Sequence, residues 1–432
     1  MENQNPETTI NLEAKKPAPE QPPRRQNNKP DHKMRNIFLI IIGAVVLISA
    51  AIIITLLLTR SDEQEVEVVE ETVVEEEEET LSNTPLQAGS VTTTIDGKSI
   101  TYNAAYVVDG IEATIGSGTY EAAEDDQVAI LVINGGSLKI KGEGVEISKT
   151  GSTGFQGRGD NYSFYGTNSA IVVVGEGSKL EIDGPTIKTS TSGANAIVAT
   201  NGGEATVKNV DISTTEDNSR GLHATYGGVI SADTVKINTL GGSCAALATD
   251  RGEGTVTAKN MALSTAGAGS PLIYSTGKIT VEDSKGTATG AQIAVVEGKN
   301  SITLKNDDFK TNGVGNRNNV DNAAVMIYQS MSGDAGEGTG TFTAENCEFT
   351  VLEDSPVYAN VPFFFVTNTT ASINLTDVTA KFSSSQKFIS AKGTSEWGRS
   401  GRNGGTVNLS VSGLTATNEN VETDSISIVR KV

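Results

Sequence analysis

The side chains best suited to chemistry in this sequence are His223, Asp250 and Arg251. His223 is the only histidine after residue 60, and the other two residues follow it by 27 and 28 positions. A histidine beside a carboxylate and a guanidinium could transfer protons or activate a nucleophile. A lone histidine in an apolar strand is more often structural, so we assign no catalytic residue and keep all three as binding candidates.

Carboxylates are plentiful, but their arrangement does not suit hydrolysis. Cleavage of a glycosidic bond needs two carboxyl groups within about 10 Å of each other. The adjacent acidic pairs, Glu216-Asp217 and Asp307-Asp308, fall in separate turns. One histidine after residue 60 and two distant cysteines provide no zinc-ligand spacing. The sequence therefore predicts no cofactor and leaves open only calcium, held by scattered turn oxygens.

These candidates lie within a repeat between residues 136 and 416. Each copy has an apolar residue, any residue, a second apolar residue, four further residues and a third apolar residue, as in Leu180/Ile182/Ile187. Such alternation predicts strands with one buried face. Successive copies between Ile182 and Leu304 are 23 to 26 residues apart, which suits a coil of three short strands.

The turn after the middle apolar residue supports the same fold. Asparagine and aspartate, which tolerate left-handed backbone, recur two residues after it. They are Asn209, Asn260, Asn306 and Asn346, with Asp283 and Asp377 in other copies. We predict an all-β parallel β-helix of about ten or more coils with an asparagine ladder.

The first strand of each coil supplies the remaining binding candidates. The aligned apolar column is Val198, His223, Leu247, Ile273, Val295, Ile327 and Phe365, and the column two residues on is Thr200, Thr225, Thr249, Ser275, Glu297, Gln329 and Thr367. Residues two apart share a face of a strand. Since the second column holds Glu297 and Gln329, we predict that this face is exposed, with Ala199, Ala224, Ala248 and Val296 filling the interior.

An exposed apolar stripe usually marks a contact surface. The predicted binding set is His223, Thr225, Tyr226, Thr249, Asp250, Arg251, Ser275, Glu297 and Gln329. Two alternatives stay open: this face is core, or insertions at residues 314–322 and 353–361 cover it.

The coil motif with its asparagine ladder resembles the right-handed parallel β-helices of the pectate-lyase-like superfamily and of bacterial adhesin-like surface proteins. Segments 220–228 (RGLHATYGG), 248–252 (ATDRG) and 366–370 (VTNTT) carry the likeness, which extends over about residues 90–416. The resemblance implies a right-handed coil, and in polysaccharide-active members the corresponding sheet often carries the sugar-binding groove. It implies no activity, because this fold hosts enzymes and pure binders alike.

The N-terminal part divides by composition. Residues 1–36 are rich in proline and charge and predict a disordered cytoplasmic tail. Residues 37–58 contain no charge and are long enough for a transmembrane helix. Basic residues before it and an acidic spacer at 59–90 place the β-helix, predicted at 91–432, outside the cell.

An insertion at residues 148–168 contains four aromatic residues and the tripeptide Arg158-Gly159-Asp160. The tripeptide can be an integrin ligand when it is exposed, but it arises easily by chance in a glycine-rich chain. We expect the aromatic residues to clasp the insertion onto the β-helix.

The net charge of −20 disfavours nucleic acid, which needs a basic surface. We expect a cell-surface adhesin or carbohydrate-binding protein whose partner is an extracellular glycan, another cell-surface polymer or a host surface protein. The alternatives are a passive structural rod in the envelope and, less favoured, a polysaccharide lyase or glycoside hydrolase.

Overall fold

The computed structural model describes residues 81–151, 159–312, 323–330, 332–352, 361–383, 387–394 and 404–419, and the backbone of 429–430. The predicted tail at 1–36, the predicted membrane helix at 37–58 and most of the predicted spacer lie outside these residues. Within them, no helix has the length and apolar character needed to cross a membrane. The first strand begins at Gln87, four residues before the predicted start of the β-helix at 91.

The described strands form three sheets. Sheet A contains, in spatial order, β1 (Gln87–Ile95), β2 (Lys98–Asp109), β5 (Gln127–Ile133), β8 (Ile171–Val174), β11 (Ile197–Thr200), β14 (Leu222–Thr225), β17 (Leu247–Thr249), β20 (Ile273–Ser275), β23 (Ala294–Glu297), β26 (Val325–Tyr328), β29 (Phe364–Thr367), β32 (Ile389–Lys392) and β35 (Val429–Arg430). Sheet B contains β3 (Glu112–Ile115), β6 (Ser137–Lys141), β9 (Lys179–Asp183), β12 (Glu204–Lys208), β15 (Val229–Asp233), β18 (Thr255–Lys259), β21 (Lys278–Glu282), β24 (Ser301–Lys305), β27 (Thr339–Glu345), β30 (Thr370–Thr376) and β33 (Thr406–Ser412).

Sheet C contains β4 (Gly118–Ala122), β7 (Val145–Lys149), β10 (Thr186–Thr189), β13 (Asp211–Thr214), β16 (Lys236–Thr239), β19 (Ala262–Thr265), β22 (Lys285–Ala288), β25 (Asp308–Thr311), β28 (Glu348–Val351), β31 (Thr379–Phe382) and β34 (Thr415–Asn418). One turn of π-helix spans Asn161–Tyr165.

Neighbouring strands in each sheet are about three elements apart in the chain, because each coil adds one strand to every sheet. The strands pair in parallel, as in Ile182 beside Val207 and Val207 beside Ala232. The predicted repeat spacing is thus confirmed. The antiparallel exception is the hairpin of β1 and β2, whose two turn residues, Asp96 and Gly97, have the positive φ angles that such tight turns require.

The core lies between the three sheets. Alternate residues of sheets B and C point into it, and Leu180, Ile182 and Ile187 are each at most 2% exposed. Burying one such aliphatic side chain contributes about 1.5–3 kcal/mol relative to leaving it in water. Both cysteines, Cys244 and Cys347, are free and buried.

The turn between sheets B and C carries the predicted ladder. Asn209, Asn260, Asn306 and Asp283 all have φ between 51° and 56°. The Asn306 amide donates to the carboxylate of Asp283 at 2.9 Å, and the Asn346 amide donates to the Asn306 carbonyl at 2.9 Å. Several coils therefore bond to the next through this turn as well as through their strands.

Candidate functional site

Sheet A carries the residues that the sequence selected for binding. His223 pairs with Val198 in one neighbouring coil and with Ala248 in the other. The alternating residue Ala224 belongs to the central core, whereas Val198 belongs to a second apolar cluster. His223 and Thr225 therefore point outward, as predicted.

Thr249 and Ser275 face the interior, so their predicted place on the outer face is wrong. Thr249 pairs with Ala224, and Ser275 pairs with Val296. Both partners belong to the central core. The Ser275 hydroxyl is used there, because it donates to the backbone carbonyl of Gly277 at 3.0 Å.

The error comes from the predicted register of the first strands. The predicted alignment sets Leu247 beside His223, but the residue that pairs with His223 is Ala248, whose predicted place in the interior is wrong. Strands in this part of sheet A are buried on both faces, as in the four residues Leu222–Thr225. Without a polar face the period of two has no contrast, so the apolar pattern cannot fix which side chains point inward.

Around β11 and β14, the outer face of sheet A is covered by residues 159–170, called the cover segment below. Phe164 and Tyr165 pack into one apolar cluster with Val198. The hydroxyl of Thr225 donates to the backbone carbonyl of Phe164 at 2.7 Å, and the hydroxyl of Tyr102 donates to the backbone carbonyl of Tyr165 at 2.8 Å. The expectation that the insertion's aromatic residues clasp it to the β-helix is confirmed for the residues that the structure describes.

Two predicted binding residues hold the cover segment in place. The ring of Tyr226 stacks on that of Tyr165 with centroids 5.3 Å apart. The guanidinium of Arg251 lies 3.9 Å from the ring centroid of Phe164 and 3.3 Å from the carboxylate of Asp160. Arg158, the first residue of the predicted tripeptide, lies outside the described residues, so its integrin role stays a prediction.

The exposed stripe predicted on sheet A is therefore wrong where the structure describes it. His223 and Thr225 are fully buried, and Asp250, Glu297 and Gln329 are at most 8% exposed. Apolar side chains that point outward from this sheet, such as Val198, are buried by the cover segment of the same chain. The role of the predicted set in ligand binding stays a prediction.

A buried acidic cluster lies on the same face. Glu297 accepts hydrogen bonds from Tyr274, Ser330 and Tyr328, the last at 2.8 Å. Asp334 accepts a hydrogen bond from Arg251. These bonds tie Ser330 and Asp334, which follow β26, to the ends of strands β23 and β17.

Asp250 has a different environment from Glu297. Its nearest cation is Arg220, whose Nη2 atom lies 3.5 Å from its carboxylate. Burial raises the pKa of Asp250 to about 7, although the Arg220 guanidinium opposes this change. The carboxyl group is therefore partly protonated near neutral pH.

His223 lacks the partners of a catalytic base. Its Nε2 atom donates to the carbonyl of Ser163 at 2.7 Å, and Nδ1 is buried with no hydrogen-bond partner among the described residues. Burial, then the charge of Arg220, holds its pKa well below the usual value. The structure brings Arg220 close to Asp250 but gives no hydrogen bond between His223 and Asp250, so these two side chains do not form a proton-transfer pair.

Sheet C presents an open face with a groove of about 630 Å³. Two outward columns run along it from β10 to β25. They are Thr186, Asp211, Lys236, Ala262, Lys285 and Asp308, and Lys188, Ser213, Asn238, Ser264, Thr287 and Lys310. These side chains are exposed or half-buried, so a ligand can reach them.

Two of the four lysines in the groove are committed to carboxylates. Lys310 lies 3.3 Å from Asp308, and Lys188 lies 3.7 Å from Glu146. Lys236 and Lys285 form no ion pair with any residue that the structure describes. The groove therefore offers two uncommitted ammonium groups among hydroxyl and amide groups.

A pattern in the sequence indicates that this face is exposed, although none of its residues is in the predicted binding set. The residues between the core positions of the third strand are polar in nearly every coil, whereas those of the first strand are mostly apolar. Polar alternation marks a solvated face. It does not show that the face is concave, because concavity depends on the three-dimensional path of the coil.

No metal-binding arrangement of three or more histidine, cysteine or acidic residues occurs in the described ranges. No model of a known protein family matches the chain, and no match was found among curated proteins or solved structures. The fold places the protein among all-β chains with three parallel sheets, the arrangement of a parallel β-helix. Its sites must be interpreted from their own geometry.

Proposed function

We propose that this protein is a membrane-anchored, right-handed β-helix of the cell surface that binds an extended glycan along the outer face of sheet C. The observation that carries the proposal is the open polar groove over six coils, next to a sheet A whose corresponding face is covered. Hydroxyl, amide and ammonium groups recur there at the strand spacing of about 4.8 Å.

A polymer suits this face better than a small molecule. The groove is shallow and long, and adjacent coils present similar groups, such as Ser213, Asn238 and Ser264. A chain with repeating hydroxyl groups can form one weak contact per coil, and linked weak contacts add to a useful affinity. A small ligand would need an enclosed pocket that buries most of its surface.

A bulky side chain in the groove provides a direct test. Ser264 is exposed on the floor of the groove, and Thr257 is exposed on sheet B in the same coil. With the full chain in detergent on a glycan array, Ser264→Trp should abolish the signals seen for the natural sequence. Thr257→Trp should leave them unchanged. Equal signals for all three proteins would contradict the proposal.

The membrane anchor has its own test. Residues 37–58 are uncharged and follow Lys33 and Arg35, which favours a helix with its N-terminus in the cytoplasm. The full chain should stay in the membrane fraction after alkaline extraction, and protease added to intact cells should remove residues 81–432. Release by alkali would contradict the anchor.

A passive envelope rod is the second candidate, favoured by the buried state of the residues predicted to bind on sheet A. It predicts no glycan signal at all and a loss of envelope integrity when the gene is deleted. Absence of binding on the array, with an envelope defect, would favour the rod over the glycan-binding protein.

A further inference from the structure

We infer that the ligand of the sheet C groove is an anionic glycan, recognised chiefly by Lys236 and Lys285. This inference rests on the proposed function and adds the chemical class of the ligand. It starts from the charge of the groove. The lining residues include four lysines and two aspartates, a sum of +2, in a chain of net charge −20.

The position of the two uncommitted lysines suits a chain with regularly spaced charges. Lys236 pairs with Ala262, which pairs with Lys285, so the lysines occupy one outward column two coils apart. Two strand spacings amount to about 10 Å. The small side chain of Ala262 leaves the space between them open. A polymer lying along the coil axis can reach both ammonium groups at once.

The groove lacks one common source of strong contacts. None of the side chains that line it is aromatic, and aromatic rings supply much of the contact energy at binding surfaces. A neutral glycan would rely on exposed hydroxyl and amide groups, which exchange one hydrogen bond with water for another at little net gain. Charge is therefore the main attraction that this groove offers.

Nearby carboxylates limit where an anion can lie. Asp211 lies directly beside Lys236 in the outward column, and Asp308, which is paired with Lys310, lies directly beside Lys285. The turn before β22 adds the carboxylate of Asp283, which lines a neighbouring depression together with Lys285. An anionic chain is repelled from both ends of this column, so the stretch open to it runs from Lys236 through Ala262 to Lys285.

The experiment compares polymers that share one backbone. Binding of the full chain to dextran, carboxymethyl-dextran and dextran sulfate of matched length is measured at low and high salt. We expect at least about tenfold tighter binding to one of the anionic forms than to dextran, weakened by salt. The two anionic forms separate recognition of carboxylate from that of sulfate.

Two double variants place the binding on sheet C. Lys236→Glu with Lys285→Glu should weaken binding by about tenfold or more. Lys179→Glu with Lys278→Glu makes the same charge change on exposed positions of sheet B and should change binding by less than about twofold. Equal losses in the two variants would overturn the inference, since net charge alone would then explain the binding.

Other outcomes separate the inference from the proposed function. If dextran binds as tightly as its anionic forms and Ser264→Trp abolishes this binding, the groove binds glycans but the anionic assignment is wrong. If poly-L-glutamate binds as tightly as carboxymethyl-dextran, the groove recognises charge and the glycan assignment is wrong. If neither anionic form binds but the glycan array gives signals that Ser264→Trp abolishes, only the anionic assignment is wrong; if no polymer binds and the array gives no signal, both are wrong.

Discussion

The outer faces of sheet A and sheet C belong to the same coils but differ in their exposure to solvent. On sheet A the outward column contains Val198, Ala248 and Met326 and is buried. On sheet C the equivalent column contains Ser213 and Asn238, with side chains that reach solvent. The face that resembles a binding stripe in sequence is therefore buried under other parts of the chain, and the face that resembles ordinary polar surface is accessible.

The difference shows how a parallel β-helix can hold two kinds of apolar side chain. Those that point inward stabilise each coil, while those that point outward on sheet A fix the cover segment. The cover adds its own polar bonds, from His223 to Ser163 and from Thr225 to Phe164. An outward apolar column in such a repeat thus indicates a covered face as readily as a binding face.

The largest expected effect comes from placing a charge on each face. Val198→Asp should destabilise the protein by more than about 4 kcal/mol, because a carboxyl group would be buried under the cover without a partner. Ser213→Asp, on sheet C in the same coil, should stay within about 0.5 kcal/mol of the natural sequence. Urea unfolding followed by circular dichroism measures both. Similar losses for the two variants would mean that the faces do not differ in burial.

A smaller effect should appear as a dependence on pH. Because burial raises the pKa of Asp250 to about 7, the folded state holds this proton more tightly than the unfolded chain does, where the pKa is about 3.9. The stability that Asp250 contributes is thus complete below about pH 4 and is lost as pH rises to 7. A tenfold difference in proton affinity between the folded and unfolded states corresponds to about 1.4 kcal/mol of stability.

Asp250→Asn should flatten this pH dependence of stability. At pH values above 7, it should also raise the urea concentration at which half of the protein is unfolded. Asp307 provides a matched comparison beside sheet C, because burial also raises its pKa to about 7. Its carboxylate accepts backbone hydrogen bonds from Ser284 at 2.8 Å and Lys305 at 3.1 Å, which Asn can satisfy only in part. Unchanged pH dependence in Asp250→Asn would show that this carboxyl group is not buried under native conditions.

The sequence predicts sheets B and C well and sheet A poorly, for a physical reason. In sheets B and C, core residues such as Ile182 and Val207 alternate with polar ones, so the register follows directly from the pattern. In sheet A both faces are apolar, and the large side chain of Leu247 is a more obvious partner for an apolar column than the small one of Ala248. The asparagine turns are readable because few residues tolerate positive φ.

The candidate site is less predictable than the fold. In the sequence, Lys236 is recognisable only as one of the polar residues that alternate with core residues in a strand. That it lies two coils from Lys285 in one column depends on which strands are neighbours. The contact of Arg251 with Phe164 joins residues 87 positions apart. No local pattern encodes such a pair.

The smallest expected effects compare one ion pair from each face. Arg251 contacts Asp160, Asp334 and the ring of Phe164. On sheet C, Lys381 contacts Glu348, and both side chains of this pair are about half exposed. Arg251→Gln should cost about 2 kcal/mol and make the cover segment more sensitive to protease, because it removes a partly buried ion pair and a cation–π contact. Lys381→Gln should cost less than about 0.5 kcal/mol, since water replaces an exposed pair. If Arg251→Gln leaves protease sensitivity unchanged, the contacts of Arg251 have no part in keeping that face closed, and the cover segment is held by its apolar packing and by the hydrogen bonds from His223 and Thr225.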